Sequence, residues 1–165
     1  MRSNVIRIVT IVQIFSCIIS LFFFIWNVIG DYDKNWGFWL VVLVSLLILI
    51  VLYIIYSNVY LFFGKGNFER FVRHNLIFNL LQFFHWSLIG FTYYFTAGLL
   101  FMPVFAYTDH IFFSLQAGSF QIRFMLWFSN SSEIWFGVNL IPILFFTLLS
   151  MELKKYKKIT SVNSG

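Results

Sequence analysis

Charge is scarce in this sequence. Asp, Glu, Lys and Arg make up 10% of 165 residues and hydrophobic residues 61%, where a soluble domain carries about 25% charged residues. A globule of this size cannot hide so much apolar surface in its own interior, so lipid is expected to cover part of it. Cysteine is nearly absent. Cys17 alone rules out an intrachain disulfide and argues against thiolate zinc sites and paired-thiol redox chemistry. Its place within an apolar run reads as a small buried hydrophobe. No small-x-small cleavage site follows the first apolar run, which is also too long for a signal-peptide core of about 7–15 residues. Gly64-Lys65-Gly66-Asn67 lacks the spacing and the Lys-Ser/Thr ending of a phosphate loop.

Aromatic residues are abundant: 24 Phe bring Phe, Trp and Tyr to 23%. Four apolar runs are long enough to cross a hydrocarbon core of about 30 Å as helices, which takes about 20 residues. They are Ile8 to Ile29, Phe38 to Phe63, Leu76 to Phe105 and Ile134 to Met151. Pro103 would kink or stop the third near its outer end. The sequence therefore predicts one integral membrane domain over residues 1–165, an all-α antiparallel bundle of four transmembrane helices.

The net charge of +5 does not form a nucleic-acid-binding face, because the cations fall between and beyond the apolar runs. Arg2 and Arg7, then Lys65, Arg70 and Arg73, then Lys154, Lys155, Lys157 and Lys158 share one side of a four-span arrangement. Only Lys34 and Arg123 lie on the other. That asymmetry predicts both termini on the cytoplasmic side, in a bacterial inner membrane or an organellar inner membrane, with 152–165 as a basic tail.

The outer segment 109–133 is apolar for a loop. From Ser119 onward Phe120, Ile122, Phe124, Leu126 and Phe128 alternate, a period of two that indicates a strand. A short extracytoplasmic β-hairpin with Ile111 to Gln116, turning at Ala117-Gly118, is expected between helices three and four. An interfacial helix or a re-entrant segment is the alternative. So much apolar surface outside the bilayer would suit contact with another membrane subunit or a second copy of the chain.

Polar residues inside the runs form two candidate sites. Gln13, Tyr53, Asn79, Gln82 and His85 would meet in the bundle interior, with His85 near the midplane and bonded to Gln13 or Tyr53. Intramembrane ionisable groups are functional hypotheses by default, although packing alone also explains such stripes. Asp109, His110, Arg123 and Glu133 would form an outward-facing cluster. Two histidines cannot face each other across the bundle at one depth, so bis-His haem is not expected, and neither cofactor nor metal is implied. The leading expectation is a non-catalytic subunit or partner-binding component of a membrane assembly. A small oligomeric transporter with a path past His85 comes second, and a membrane enzyme using the outer cluster third.

Overall fold

Long runs of Leu, Ile, Val and Phe unbroken by Pro or Gly satisfy their own backbone groups as helices. The first two runs do so in the structure, a computed structural model that describes residues 3–30, 38–64, 67–88, 91–107, 110–128 and 134–163. Helix α1 is Asn4–Gly30 and α2 is Phe38–Phe63. Within them Asn4–Trp26 and Val41–Phe63 each reach a mean hydropathy of 2.6 and are long and apolar enough to cross a membrane. They pack together through Cys17, Leu47, Val51 and Ile54, a core completed by Phe78, Phe95 and Ala97 from the second half of the chain.

Helix α3, Phe68–Leu81, starts where the Asn67 side chain accepts a hydrogen bond from the Arg70 backbone N–H at 3.1 Å. That contact satisfies a donor the helix cannot. Glu69 lies in the first turn, where a negative charge favours the helix dipole. The helix stops at Leu81. From there to Val138 the described residues outside turns are strands: β1 Phe84–Leu88, β2 Phe91–Tyr107, β3 Ile111–Phe128 and β4 Ile134–Val138. Helix α4, Leu140–Asn163, follows.

The expected all-α bundle of four transmembrane helices is thus wrong. The run 76–105 divides into the end of α3, β1 and most of β2, and the run 134–151 divides into β4 and the first half of α4. The cause is local. After Leu81 the side chains alternate, with Phe84, Trp86 and Leu88 exposed and His85 and Ser87 buried. Aromatic residues in that alternating pattern fit a pleated strand better than a helix. The expected short hairpin is also corrected. Residues 111–128 do form a strand, but Ala117 and Gly118 lie within it, opposite Phe101 and Leu100, and its partner is β2. Pro103 sits inside β2 opposite Leu115 rather than in a kinked helix.

The sheet closes on itself. β2 pairs with β3 along its length, from Phe91↔Phe128 to Tyr107↔Ile111. β1 pairs with the start of β2, Trp86↔Tyr93 to Leu88↔Phe91, and also with β4, Phe84↔Val138 to Ser87↔Trp135. β4 pairs in turn with the end of β2, Val104↔Gly137 to Tyr107↔Ile134. Strands β1, β4 and β2 therefore form a small ring, with β3 attached outside it. Closure requires β2 to bend, and the register shifts between Gly98 and Leu100. Gly98 has φ +123°, a conformation L side chains rarely adopt, and a Cβ there would lie 3.2 Å from the Ser16 Cβ of α1. Asn139 secures the same place. Its side-chain oxygen accepts from Phe101 N at 3.2 Å and from Ile141 N at 3.3 Å, so one amide serves the broken ladder and the first turn of α4.

A second core, Ile6, Val9, Leu61, Phe68, Val72 and Leu149, gathers the start of α1, the end of α2, the start of α3 and the middle of α4. The cations collect at this end. Glu69 pairs with Arg73 on its own helix and with Lys157 of α4 at 3.2 Å. Hydrogen bonds from Arg73 and then Lys157 hold its carboxyl below the ordinary value. Burial works against ionisation of Glu152, but the hydrogen bonds from Lys155 and Ser3 outweigh it and leave that carboxyl lowered too. The Ser3 contact sets the start of the chain beside α4.

Three measurements check these points. An amide I infrared spectrum should show sheet absorption beside helix; a purely helical band would restore the four-helix bundle. Gly98→Ala, strained at positive φ, and Gly137→Ala, whose Cβ would lie 2.5 Å from the Met102 sulfur, should each lower stability by about 1–3 kcal/mol in thermal unfolding. Both lowered carboxyls contribute stability that is present above their ordinary value of 4.5 and lost as pH falls through the lower folded values. The melting temperature should therefore drop below about pH 4.5. It should drop less in the double variant Glu69→Gln, Glu152→Gln.

Candidate functional site

Helical spacing brings Asn75, Asn79 and Gln82 to one face of α3 and its C-cap, facing α1 and α2. The side chains form a buried polar seam. Gln13 Nε2 donates to Asn79 Oδ1 at 3.1 Å, and Asn79 Nδ2 donates to the Asn75 carbonyl at 2.7 Å. Asn58 Nδ2 donates to Asn75 Oδ1 at 2.8 Å, and Asn75 Nδ2 donates to Ser57 Oγ at 2.9 Å. At the other end Gln82 Oε1 accepts from Ala97 N at 2.7 Å, tying α3 to β2. Buried amides are costly unless bonded, so the seam fixes the register of α1, α2, α3 and the sheet against one another.

Three of the five residues predicted for the interior cluster meet here: Gln13, Asn79 and Gln82. A cavity of about 20 Å³ adjoins them, also bordered by Ser16, Gly98 and Pro142. Gln13 Oε1 and Ser16 Oγ are buried without a hydrogen-bond partner among the described residues. The space admits about one water and no larger solute. Tyr53 is not part of the cluster. It is 40% exposed and hydrogen-bonds with His74 on the flank of α3. Ser57 and Asn58, which sequence reasoning missed, take its place in the seam. Their signal was a polar pair in an otherwise apolar helix.

His85 is fully buried but on the far side of β1, inside the strand ring. Its partner is neither Gln13 nor Tyr53. Nε2 donates to the Gln82 backbone carbonyl at 3.1 Å. A carbonyl can only accept, so in the neutral ring Nδ1 is a bare acceptor, and it has no partner among the described residues. The ring packs against that of Tyr94 with centroids 4.3 Å apart and planes tilted by 44°. Ser87 and Thr92 share a hydrogen bond of 2.9 Å within the same ring of strands, so the Ser87 hydroxyl is engaged by Thr92 and does not form a nucleophile–base pair with His85. Met102 fills the ring against Gly137.

The outer cluster is not assembled by the described residues. Asp109 and Glu133 lie outside them. His110 is exposed in a bend just before β3, and Arg123 sits within β3 opposite Thr96. The thirteen-residue separation, at about 3.3 Å per residue, puts them about 40 Å apart along the strand, too far for one site. Among the described residues, no group of three or more His, Cys, Asp and Glu is arranged to hold a metal ion.

Asn75→Leu should take from Asn58 and Ser57 their bonds to Asn75, leaving each only a backbone carbonyl, and lower stability by about 1–3 kcal/mol. Tyr53→Phe should change it by less than about 0.5 kcal/mol. Unfolding midpoints of the two variants side by side measure the difference, and equal midpoints would mean the seam does not organise the fold.

Comparison with protein-family models, with curated proteins and with solved structures returns no match, so the arrangement of these side chains is what carries a functional reading.

Proposed function

We propose that this chain is an integral membrane protein that acts as a non-catalytic, partner-binding component of a membrane assembly, its basic end in the cytoplasm. Two observations support the bilayer. Only 33% and 28% of the two apolar helical stretches are buried within the chain, whereas the core helix of a soluble protein would be mostly covered. The strand ring, moreover, is apolar outside, and its interior mixes polar side chains with Tyr94, Met102 and Val104. His85, Ser87, Thr92 and Thr96 are buried, while Phe84, Trp86, Leu88, Phe105 and Phe136 face outward and exposed. An exposed face this apolar is what a sheet presents to lipid rather than to water.

The observation that carries partner binding is the outer edge of β3. No strand pairs with it among the described residues, although α1 packs against β3, and Ile111, Phe113 and Leu115 of that strand are exposed. In an apolar medium each unpaired backbone group costs several kcal/mol, so such an edge calls for another chain or a second copy. The packed seam and the water-sized cavity, which His85 does not border, favour this reading over the transporter. The separation of His110 from Arg123 disfavours the enzyme.

Purification in mild detergent tests the proposal. The protein should need detergent to stay monodisperse and should carry a stable partner or self-associate, and Phe113→Lys with Leu115→Lys should release it. A detergent-dependent protein that stays monomeric and alone would refute the partner role. Monodispersity in plain buffer would refute the membrane reading itself. Cysteine labelling at both termini should place them on one side of the membrane.

A further inference from the structure

The exposed stripe of α3 changes character along its length. Arg70 and Arg73 come first, with His74 beside them, and Ile77, Leu80 and Leu81 follow, each about half exposed. Each half borders its own groove. The first, about 500 Å³, lies against Asn67, Glu69, Arg70, Arg73, His74 and Ile77. The second, about 410 Å³, lies against Leu80, Leu81, Phe84, Trp86, Tyr93 and Phe136. Ile77 and Leu81 are one helical turn apart, about 6 Å, so the two grooves follow each other along one face. We infer that this face is a binding site for a single anionic phospholipid, its phosphate at Arg70 and Arg73 and an acyl chain along Leu81, Phe84 and Phe136.

Charge and polarity both select that occupant. Glu69 is answered by Arg73 and by Lys157, and the Arg70 guanidinium has no anionic partner among the described residues, so the polar groove is net cationic. Guanidinium groups suit phosphate oxygens, with two parallel donors. The second groove offers almost only carbon. From Arg73 to Leu81 the helix rises about 12 Å, the order of the distance from a headgroup phosphate into the acyl region. A soluble anion would have no use for the apolar half, and a neutral lipid none for the arginines. The inference rests on the membrane reading above and adds a specific ligand to it.

The test is lipid retention by native mass spectrometry of the detergent-purified protein, with long-chain phosphatidylglycerol and phosphatidylcholine offered together. The wild type should retain one phosphatidylglycerol with about tenfold preference. Arg70→Gln with Arg73→Gln should erase the preference. Arg70→Gln alone, which leaves the ion pairs of Glu69 in place, should weaken it by about threefold. Dihexanoyl phosphatidylglycerol, whose acyl chains are only six carbons long, and inorganic phosphate, which has none, should bind at least about tenfold more weakly. Equal retention of the two long-chain lipids, or equal binding of phosphate alone, would overturn the inference while leaving the need for detergent intact. Loss of that need would instead overturn the membrane reading.

Discussion

Main-chain amides in a chain this apolar have few partners other than one another, and the structure follows from how they are paired. α1 and α2 meet the requirement within themselves. The middle of the chain cannot, because its alternating aromatic sequence extends rather than coils, so its amides must be satisfied between strands. Closing β1, β4 and β2 into a ring satisfies them with few residues, since β1 then has a neighbour on each side. The one place where closure breaks the ladder, between Gly98 and Leu100, is where a buried asparagine supplies the missing bond. Polar side chains inside this protein repair the backbone as much as they bind each other.

The same economy explains the seam between the helices. Five amide side chains, Gln13, Asn58, Asn75, Asn79 and Gln82, are almost wholly buried, and all five have bonded partners. Each such bond adds little over the alternative of water or lipid contact, but an unpaired amide is costly. Few other packings of these elements would give each of them a partner. Cross-links of this type specify one arrangement among greasy surfaces that would otherwise slide.

How much of this was legible in the sequence depended on periodicity. The first two helices were read as 8–29 and 38–63 and found as Asn4–Gly30 and Phe38–Phe63, because an uninterrupted aliphatic run has only one way to satisfy its backbone. The gathering of basic segments at one end was legible from Lys and Arg alone, and Gln13 with Asn79 from the helical stripe they mark. Hydropathy, however, does not distinguish an apolar helix from an apolar strand. The alternation from Phe84 to Leu88 carries that information, within a run whose length alone suggests a helix. The error carried over to His85, which was placed on a helix face with Gln82 and instead sits three residues further on, in a strand whose side chains point the other way. The ring itself joins residues near 86 to residues near 136, and nothing local in the sequence announces a pairing at that distance.

That distance has a kinetic consequence. α1, α2 and α3 are complete once about half the chain has been made, and α2 packs against both its sequence neighbours, α1 and α3. β1, by contrast, acquires its second neighbour only when β4 emerges about fifty residues later. Until then the strands between them hold unpaired edges in a chain rich in phenylalanine, and long-range pairings of this kind form slowly. The nascent protein therefore passes through a stage in which its helical half is seated while its sheet is exposed to cross-pairing. Synthesis rate and the chaperones attending the emerging chain would then govern yield more strongly than the stability of the finished fold.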